Sequence, residues 1–596
     1  MLTARPIDLD YFRLVAKAKS RDYSGCRETL RLALMGDAST QQLALLLQVL
    51  FGEQGIQAVM FEGPFDAVEL QVYDPGSDLY RFSPDIVIIL NVVQALRARY
   101  YRRAGSGAKF LEQEFGRLVA IWDAIGRQTA APVIQNNFAL PVERVFGNYD
   151  HKVPDSLYAV VTALNLRIAE SARARAQVVI SDVEAIASYI GRRNFFDNRF
   201  WNMYKSLCAL EHLPLVAQSI VDVALSLRGR VVKCVVLDLD NTLWGGVIGD
   251  DGVDGISLAA HGDGESFHEF QSYLLELQNR GILLAVCSKN SEENAWKPFL
   301  EHPEMVIRRE HISVFMANWE DKAENIRRIR EKLNIGFESM VFLDDNPFER
   351  NLVRSLLPAV IVPELPDEHS DFVRAISELN LFETSSFSIE DKQRTALYRQ
   401  REERAELEKS FSSVEEYLQS LDSEITVARF QPNRIARIAQ LFQRSNQFNL
   451  TTGRRTEADC IELMLDPACY PVYAELRDRL GNHGLISTVV CRHGEDELIL
   501  SDWLMSCRVL TRGVEQFLMN HCVEYAASRN LRWLVGEYRR TPKNAMVKDF
   551  YAQFGFEQVS ESAGGNSTWR LEIARYRPQR VFLRPATTSV ELAPSS

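Results

Sequence analysis

Short apolar runs alternate with longer amphipathic stretches through most of this chain. Residues 32–35, 56–61, 85–90, 132–135 and 177–180 are brief and largely apolar, whereas 108–125 and 156–174 carry apolar positions at helical spacing. The brief runs read as buried strands and the long ones as covering helices, so 1–225 is predicted to form a doubly wound parallel α/β sheet. The pattern resumes at 231, where Val231, Val232, Val235, Val236 and Leu237 predict another buried strand. A helix over 265–280 follows, with Phe267, Phe270, Leu274 and Leu277 on one face and Gly281 ending it. Strands are predicted at 282–287 and 340–343, with a helix opening at 318–322 between them. From 425 the rhythm changes. Strands at 425–429, 472–478, 485–492 and 497–509, with helices at 434–445 and 515–527, predict a mixed α+β domain. Between these regions 386–424 is charged with a partial apolar face, a solvated helical connector. Residues 575–596 are polar with prolines and are expected to be disordered.

The chain's 596 residues suggest several domains, taken as 1–225, 226–385, 386–424, 425–574 and 575–596. A formal net charge of -12 argues against a nucleic-acid surface. Nine cysteines without a CxxC pair read as reduced thiols. No stretch reads as a membrane span and the opening residues lack a signal-peptide core, so a cytoplasmic protein without membrane partners is expected.

Candidate chemistry gathers where strands end. Asp238, Asp240 and Thr242 crowd the carboxyl end of the strand that opens at 231, the place where open α/β sheets bind ligands. Two acids with nothing basic between them call for a cation or a shared proton. Ser288 ends the next strand, Lys322 opens a helix, and Asp344 and Asp345 end a third strand. A carboxylate can attack phosphorus, and a second can protonate the leaving oxygen. Mg²⁺ binds through one or two carboxylates plus phosphate oxygens, and a lysine and a hydroxyl can balance equatorial charge.

The DLDNT run with Ser288, Lys322 and the paired aspartates resembles the four motifs of the haloacid dehalogenase (HAD) superfamily. That resemblance implies Asp238 as nucleophile, Asp240 as general acid/base, and Thr242, Ser288 and Lys322 as further site residues. It also implies Mg²⁺ held by Asp238, the Asp240 main-chain carbonyl and one of Asp344 and Asp345. Forty positions separate Thr242 from Ile282, and thirty-four separate Ser288 from Lys322. Neither gap holds a domain of about 50 residues, so the Rossmann-like sheet is expected to lack a large cap and to suit a large or tethered substrate. CVVLDLDNTLWGGVIGDDG, AVCSKN, NWEDKAENIRRI and VFLDDNPFER further resemble the FkbH-like (HAD-IIIC) family, from about Arg230 onward. Members occur in polyketide and related pathways. They are implied to take a glyceryl group from 1,3-bisphosphoglycerate, a phosphorylated three-carbon acyl donor, pass it to an acyl carrier protein as a thioester, and remove the phosphate. Cys287, beside Ser288, is the better cysteine candidate for an acyl relay; packing is the favoured reading for it and for Cys234.

Two flanking resemblances complete the picture. Gly36-Asp37 and Asn91 sit like blocks of the SGNH hydrolases, a flavodoxin-type fold, but Ala38 stands at the nucleophile position with Ser39 one place on. Asp197 lies where that family's closing motif has an Asp–His pair, without the histidine. A serine without a base is a poor nucleophile, which points to a degenerate domain that binds a partner or serves structure alone. Toward the C-terminus, RVLTRGV at 508–514 resembles the acyl-coenzyme A loop of GNAT acyltransferases. Arg508 and Gly513 match, Thr511 replaces a glycine, and Arg512 and Val514 complete the cradle for coenzyme A or a phosphopantetheine arm. Asn544 and Tyr551, seven apart before Gly555-Phe556, match the closing motif, implying Tyr551 as proton donor to a thiolate. Two alternatives stay open: a phosphatase fused to an independent N- or O-acetyltransferase acting on a small metabolite, and a docking protein that recruits carrier proteins.

Overall fold

The computed structural model describes residues 9–20, 25, 26, 28–387, 414–445, 447–479, 481–506, 509, 510, 512–541, 544–562 and 564–586. Most of the expected connector, 388–413, and the tail from 587 lie outside them.

The chain forms two compact units, and the first is Met1–Val232 with the returning segments Arg354–Pro363 and Arg374–Ser385. A single cut near 225 therefore misses pieces that come back late in sequence. Its strands β1 (Glu28–Gly36), β2 (Ile56–Glu62), β3 (Ile86–Leu90), β4 (Val133–Asn136) and β5 (Val178–Ser181) pair in parallel in the order β2-β1-β3-β4-β5. That is the flavodoxin order, with its switch point between β1 and β3. Long helices Gly107–Gln128 and Leu157–Arg173 cover the sheet where the apolar spacing predicted them. The stretch Leu210–Leu227 is long and apolar enough to cross a membrane by composition, contrary to the expectation that no stretch would be. Its Val216, Ala217, Ile220, Val221 and Ala224 are buried in this unit's core.

The second unit holds two sheets. Strands β6 (Cys234–Leu237), β7 (Leu283–Ser288), β8 (Ile312–Ala317) and β9 (Met340–Leu343) are parallel in the order β8-β7-β6-β9. β6 begins at Cys234, so Val231 and Val232 precede it. β8 was not anticipated: its run reads on into the loop that opens the Lys322 helix. The two stretches where a cap could be inserted are filled by helices Ile248–Gly255 and Glu265–Asn279, and by helix Glu292–Glu301 with β8.

The other sheet runs β15-β16-β14-β13-β12-β11-β10-β17. Its members are β10 (Glu424–Arg429), β11 (Cys469–Asp478), β12 (Gly481–His493), β13 (Glu497–Met505), β14 (Trp533–Tyr538), β15 (Glu557–Glu561), β16 (Ser567–Glu572) and β17 (Arg584–Pro585). β13 pairs in parallel with β14 only from Glu497 to Leu500 and then continues to Met505, so the sheet splits. The expected tail disorder from 575 is overturned in its first part, because Arg584–Pro585 pairs with β10 and Ala586 donates its N–H to Ile425 O at 2.9 Å.

Candidate active site

β6 is buried along its length and delivers Asp238 at its carboxyl end, between the neighbours β7 and β9. Lys322 starts the helix Lys322–Leu333, whose first N–H groups are capped by the Asp321 carboxylate. That cap fixes where the lysine enters. Lys322 Nζ lies 2.8 Å from Asp238 Oδ2 and 2.6 Å from Asp344 Oδ2, and all three residues are buried. Burial pulls the ammonium toward neutrality, but the two carboxylates outweigh it and hold the Lys322 pKa above the usual lysine value. Burial, and then the Asp238 charge, push Asp344 and Asp345 upward.

One lysine against this many acids leaves surplus negative charge. Carboxylate oxygens of Asp238, Asp344 and Asp345 lie within 4.8 Å of one another, and Asp238 Oδ1 is buried without a hydrogen-bond partner. An orphaned oxygen within an all-oxygen acidic trio fits a hard divalent cation such as Mg²⁺. Asp240 stands outside the trio. Its Oδ1 accepts from Trp244 Nε1 at 2.9 Å and from the Ile248 N–H at 3.0 Å, and its Oδ2 accepts from Asn290 Nδ2 at 3.2 Å. With that carboxylate engaged, contact between Asp240 and a cation would fall to its main-chain carbonyl. Burial raises the Asp240 pKa against these donors, which suits a group that must carry a proton. The turn that brings the indole round passes through Asn241 at φ 53° and Gly246 at φ 94°, left-handed positions suited to Asn and Gly.

Two candidate residues, Thr242 and Cys287, turn inward, and for Cys287 this agrees with the favoured packing reading. Thr242 is fully buried and meets Asp345 instead of solvent: its Oγ1 accepts the Asp345 N–H at 3.2 Å and donates to Asp345 Oδ1 at 3.4 Å. Its hydroxyl is spent on Asp345, one of the acidic trio. Cys287 is also fully buried, with its thiol donating to Lys322 O at 3.6 Å and its pKa pushed far up by burial. A thiol kept protonated inside the sheet cannot serve as an acyl relay, and Cys234 is equally enclosed. Ser288 ends β7 as expected and is almost wholly buried. Sequence reasoning missed Asn290 and Trp244 as partners of Asp240. It also missed Arg350, whose guanidinium donates to the Asp344 and Asp345 carbonyls at 2.7 and 2.6 Å.

In the first unit, Asp37 and Asn91 do meet at the β1/β3 switch point. Asp37 accepts from the Val92 N–H at 2.8 Å, Asn91 Nδ2 at 3.3 Å and Arg99 at 3.3 Å. Ser39 donates to Gln41 Oε1 at 2.6 Å, and Asp197 caps the helix Asn198–Tyr204. Neither forms part of a nucleophile–base pair.

In the C-terminal sheet, Arg508 and Thr511 lie outside the described residues. Gly513 precedes the helix Val514–Ser528 at φ 81°, and Val514 is buried. Arg512 is buried and ion-paired to Asp478 at 2.9 Å, beside His483 at 3.2 Å. Asn544 spends its side chain inside the chain, donating to Asn449 O and Arg539 O at 2.9 and 2.8 Å and accepting from the Thr541 N–H at 2.8 Å. Tyr551 is fully buried, its hydroxyl 3.5 Å from Glu537 O, and burial holds its pKa well above the tyrosine range. The expected cofactor contact of Asn544 and proton donation by Tyr551 both give way to core roles.

Comparison with known proteins bears on each part. Residues 31–225 match the family described as FkbH, N-terminal domain. That match falls on the part read as SGNH-like, upstream of where the FkbH-like motifs were read. The N-terminal part of the protein BF1531 from Bacteroides fragilis, containing a phosphatase domain and complexed with Mg, is 38% identical; the likeness covers 63% of this chain and all (100%) of that one, with a TM-score of 0.60. The ribosomal-protein-S18-alanine N-acetyltransferase from Escherichia coli is 15% identical over 25% of this chain and 94% of its own, with a TM-score of 0.21. The GNAT domain of S. lividans PAT is 17% identical over 24% of this chain and 89% of its own, with a TM-score of 0.20. Likenesses that shallow decide nothing about the C-terminal part. No curated protein matches the chain.

Proposed function

The chain belongs to the family represented by the phosphatase-domain part of BF1531, and from that premise we propose a Mg²⁺-dependent HAD-type phosphatase that also loads a carrier protein. It takes a glyceryl-type acyl group from a phosphorylated three-carbon donor such as 1,3-bisphosphoglycerate and transfers it to the thiol of an acyl carrier protein, the acyl phosphate leaving as inorganic phosphate, and it hydrolyses the remaining phosphate ester. The observation that carries the phosphatase half is Lys322 bridging Asp238 and Asp344 while Asp238 Oδ1 stays without a partner.

Asp238, Asp344 and Asp345 would hold Mg²⁺, which when bound offsets the charge that otherwise keeps an anionic phosphate away from a carboxylate. The Asp238 carboxylate attacks phosphorus and forms an aspartyl-phosphate. Asp240 gives its proton to the departing oxygen, then takes one from the water that hydrolyses the intermediate. Trp244, Ile248 and Asn290 fix the direction in which that proton moves. Lys322 and Ser288 face the transferring oxygens.

With only sheet-layer helices and β8 in the two possible insertion stretches, the site is read as open, which suits a substrate tethered to a protein. The pairing of Arg512 with Asp478 leaves less positive charge for a pyrophosphate. It favours a phosphopantetheine arm over free coenzyme A, and carrier loading over an independent acetyltransferase. The engaged Ser39 and Asp197 favour a binding or structural role for the SGNH-like unit over hydrolysis.

Hydrolysis of the phosphate ester should require Mg²⁺ and stop in Asp238→Asn with the circular-dichroism spectrum unchanged. Hydrolysis at the wild-type rate by that variant would remove Asp238 from its role.

A further inference from the structure

β6 stands between β7 and β9, so the loops that leave those two strands flank the catalytic carboxylates. Residues from both loops nevertheless meet. Lys289, directly after β7, places its Nζ 2.6 Å from Glu349 Oε1, on the helix that follows Asp344 and Asp345. The strands they come from are about 10 Å apart, twice the spacing of neighbours. The ion pair therefore joins the two segments that flank the carboxyl end of β6. The adjacent residue, Asn290, already touches Asp240.

The two partners differ in character. Glu349 is buried, and its Oε2 has no hydrogen-bond partner. It is a fixed anchor. The Lys289 side chain is 38% exposed. An ammonium carries three donors, and Glu349 accounts for one of them. What remains is an ammonium whose charge Glu349 offsets but which keeps two N–H donors to spare, beside a site whose other charged groups are mostly acids. Lys322 is the pocket's buried cation and is taken up by Asp238 and Asp344.

We propose that Lys289 selects substrates bearing a second anionic group, a carboxylate or another phosphate, beside the phosphoryl group being cleaved. This rests on the phosphatase reading above and adds a residue that discriminates among phosphate esters. Glu349 keeps the ammonium in place before substrate arrives, so little side-chain freedom is lost on binding.

The test compares two esters that differ at one carbon, 3-phosphoglycerate with its carboxylate and glycerol 3-phosphate without it, on the full chain with Mg²⁺. Wild type is expected to prefer 3-phosphoglycerate by about tenfold or more in kcat/KM, the size of one charge-assisted contact. Lys289→Met should collapse that ratio toward one, chiefly by raising KM for the carboxylate-bearing ester. The double variant Lys289→Met, Glu349→Gln removes the buried carboxylate left unpaired, and should show the same collapse. A wild-type ratio near one, or a ratio that survives in both variants, overturns the proposal. Absence of phosphate release from either ester and from p-nitrophenyl phosphate in wild type overturns the phosphatase reading along with it, and is a separate result.

Discussion

Lys322 is where removing one side chain tells most. It stands between Asp238 and Asp344 at salt-bridge distance, with Asp345 in the same trio. Lys322→Met leaves buried carboxylates facing one another without a cation, a loss of about 3–5 kcal/mol. A melting temperature lowered without metal and partly restored by magnesium is expected, since the ion binds only the folded site. An unchanged melting temperature without metal would show that the lysine does not hold the acids together. Asn290 makes a subtler contribution through its 3.2 Å hydrogen bond to Asp240. Asn290→Ala should cost about tenfold in kcat, the size of one hydrogen bond to a charged group. The loss should grow with the pKa of the leaving alcohol, because good leaving groups need little protonation. Equal losses for p-nitrophenyl and alkyl phosphates would mean that Asn290 does not act through Asp240. Asp238, Lys322 and the aspartate pair were legible in the sequence because each follows an apolar run or opens a helix. Asn290, Lys289 and Glu349 were not, because their partners depend on which strands are neighbours.

At the scale of elements, strand order carries that missing information. Nothing in the spacing of β6, β7 and β9 says that β6 is central, and β8 was overlooked where Ile312–Ala317 runs straight into the polar loop before Lys322. The five strands of the first unit were readable because each is a short apolar run set off by helical segments on either side. Tyr551 shows the opposite failure: a motif tyrosine proves to be a packing residue, its ring so close to β14 that a Cβ at Gly536 would overlap it. Gly536→Ala should therefore destabilise the C-terminal sheet by about 1–3 kcal/mol in urea unfolding, and no loss would mean that Tyr551 moves freely. The helix Leu213–Leu227 carries a pH signature. Burial pushes Asp222 up to about 7, helped by Glu383 and opposed by donors from Gln218 at 2.7 Å and Asn380 at 3.1 Å. An acid that holds its proton more tightly when folded adds stability that is fully present below the unfolded value near 3.9 and is lost as pH rises through about 7. Asp222→Asn should melt above wild type at pH 8 and with it at pH 4. Parallel melting curves at both would contradict the shift.

At the scale of the whole molecule, thioester formation needs a thiol, and the chain's own described thiols are poorly placed to supply one. Among the described residues Cys26 is half-buried, and Cys208, Cys234, Cys287, Cys460, Cys469, Cys491 and Cys522 are buried. The carrier protein proposed above would bring its own acceptor thiol on a flexible arm. Acyl transfer and phosphate removal also make different demands. Transfer needs an electrophilic acyl phosphate beside a thiolate, whereas removal needs Asp238 beside phosphorus. Disabling Asp238 should therefore separate them. With holo-carrier protein, 1,3-bisphosphoglycerate and Mg²⁺, intact-mass measurement should show a glyceryl adduct for the wild type. Asp238→Asn should give an adduct heavier by one phosphoryl group, with no release of phosphate from that adduct. An unmodified carrier with both enzymes, while the wild type still hydrolyses the free donor and the variant does not, would remove carrier loading and leave the phosphatase standing. A glyceryl adduct without phosphate from the variant would instead place dephosphorylation outside the Asp238 site.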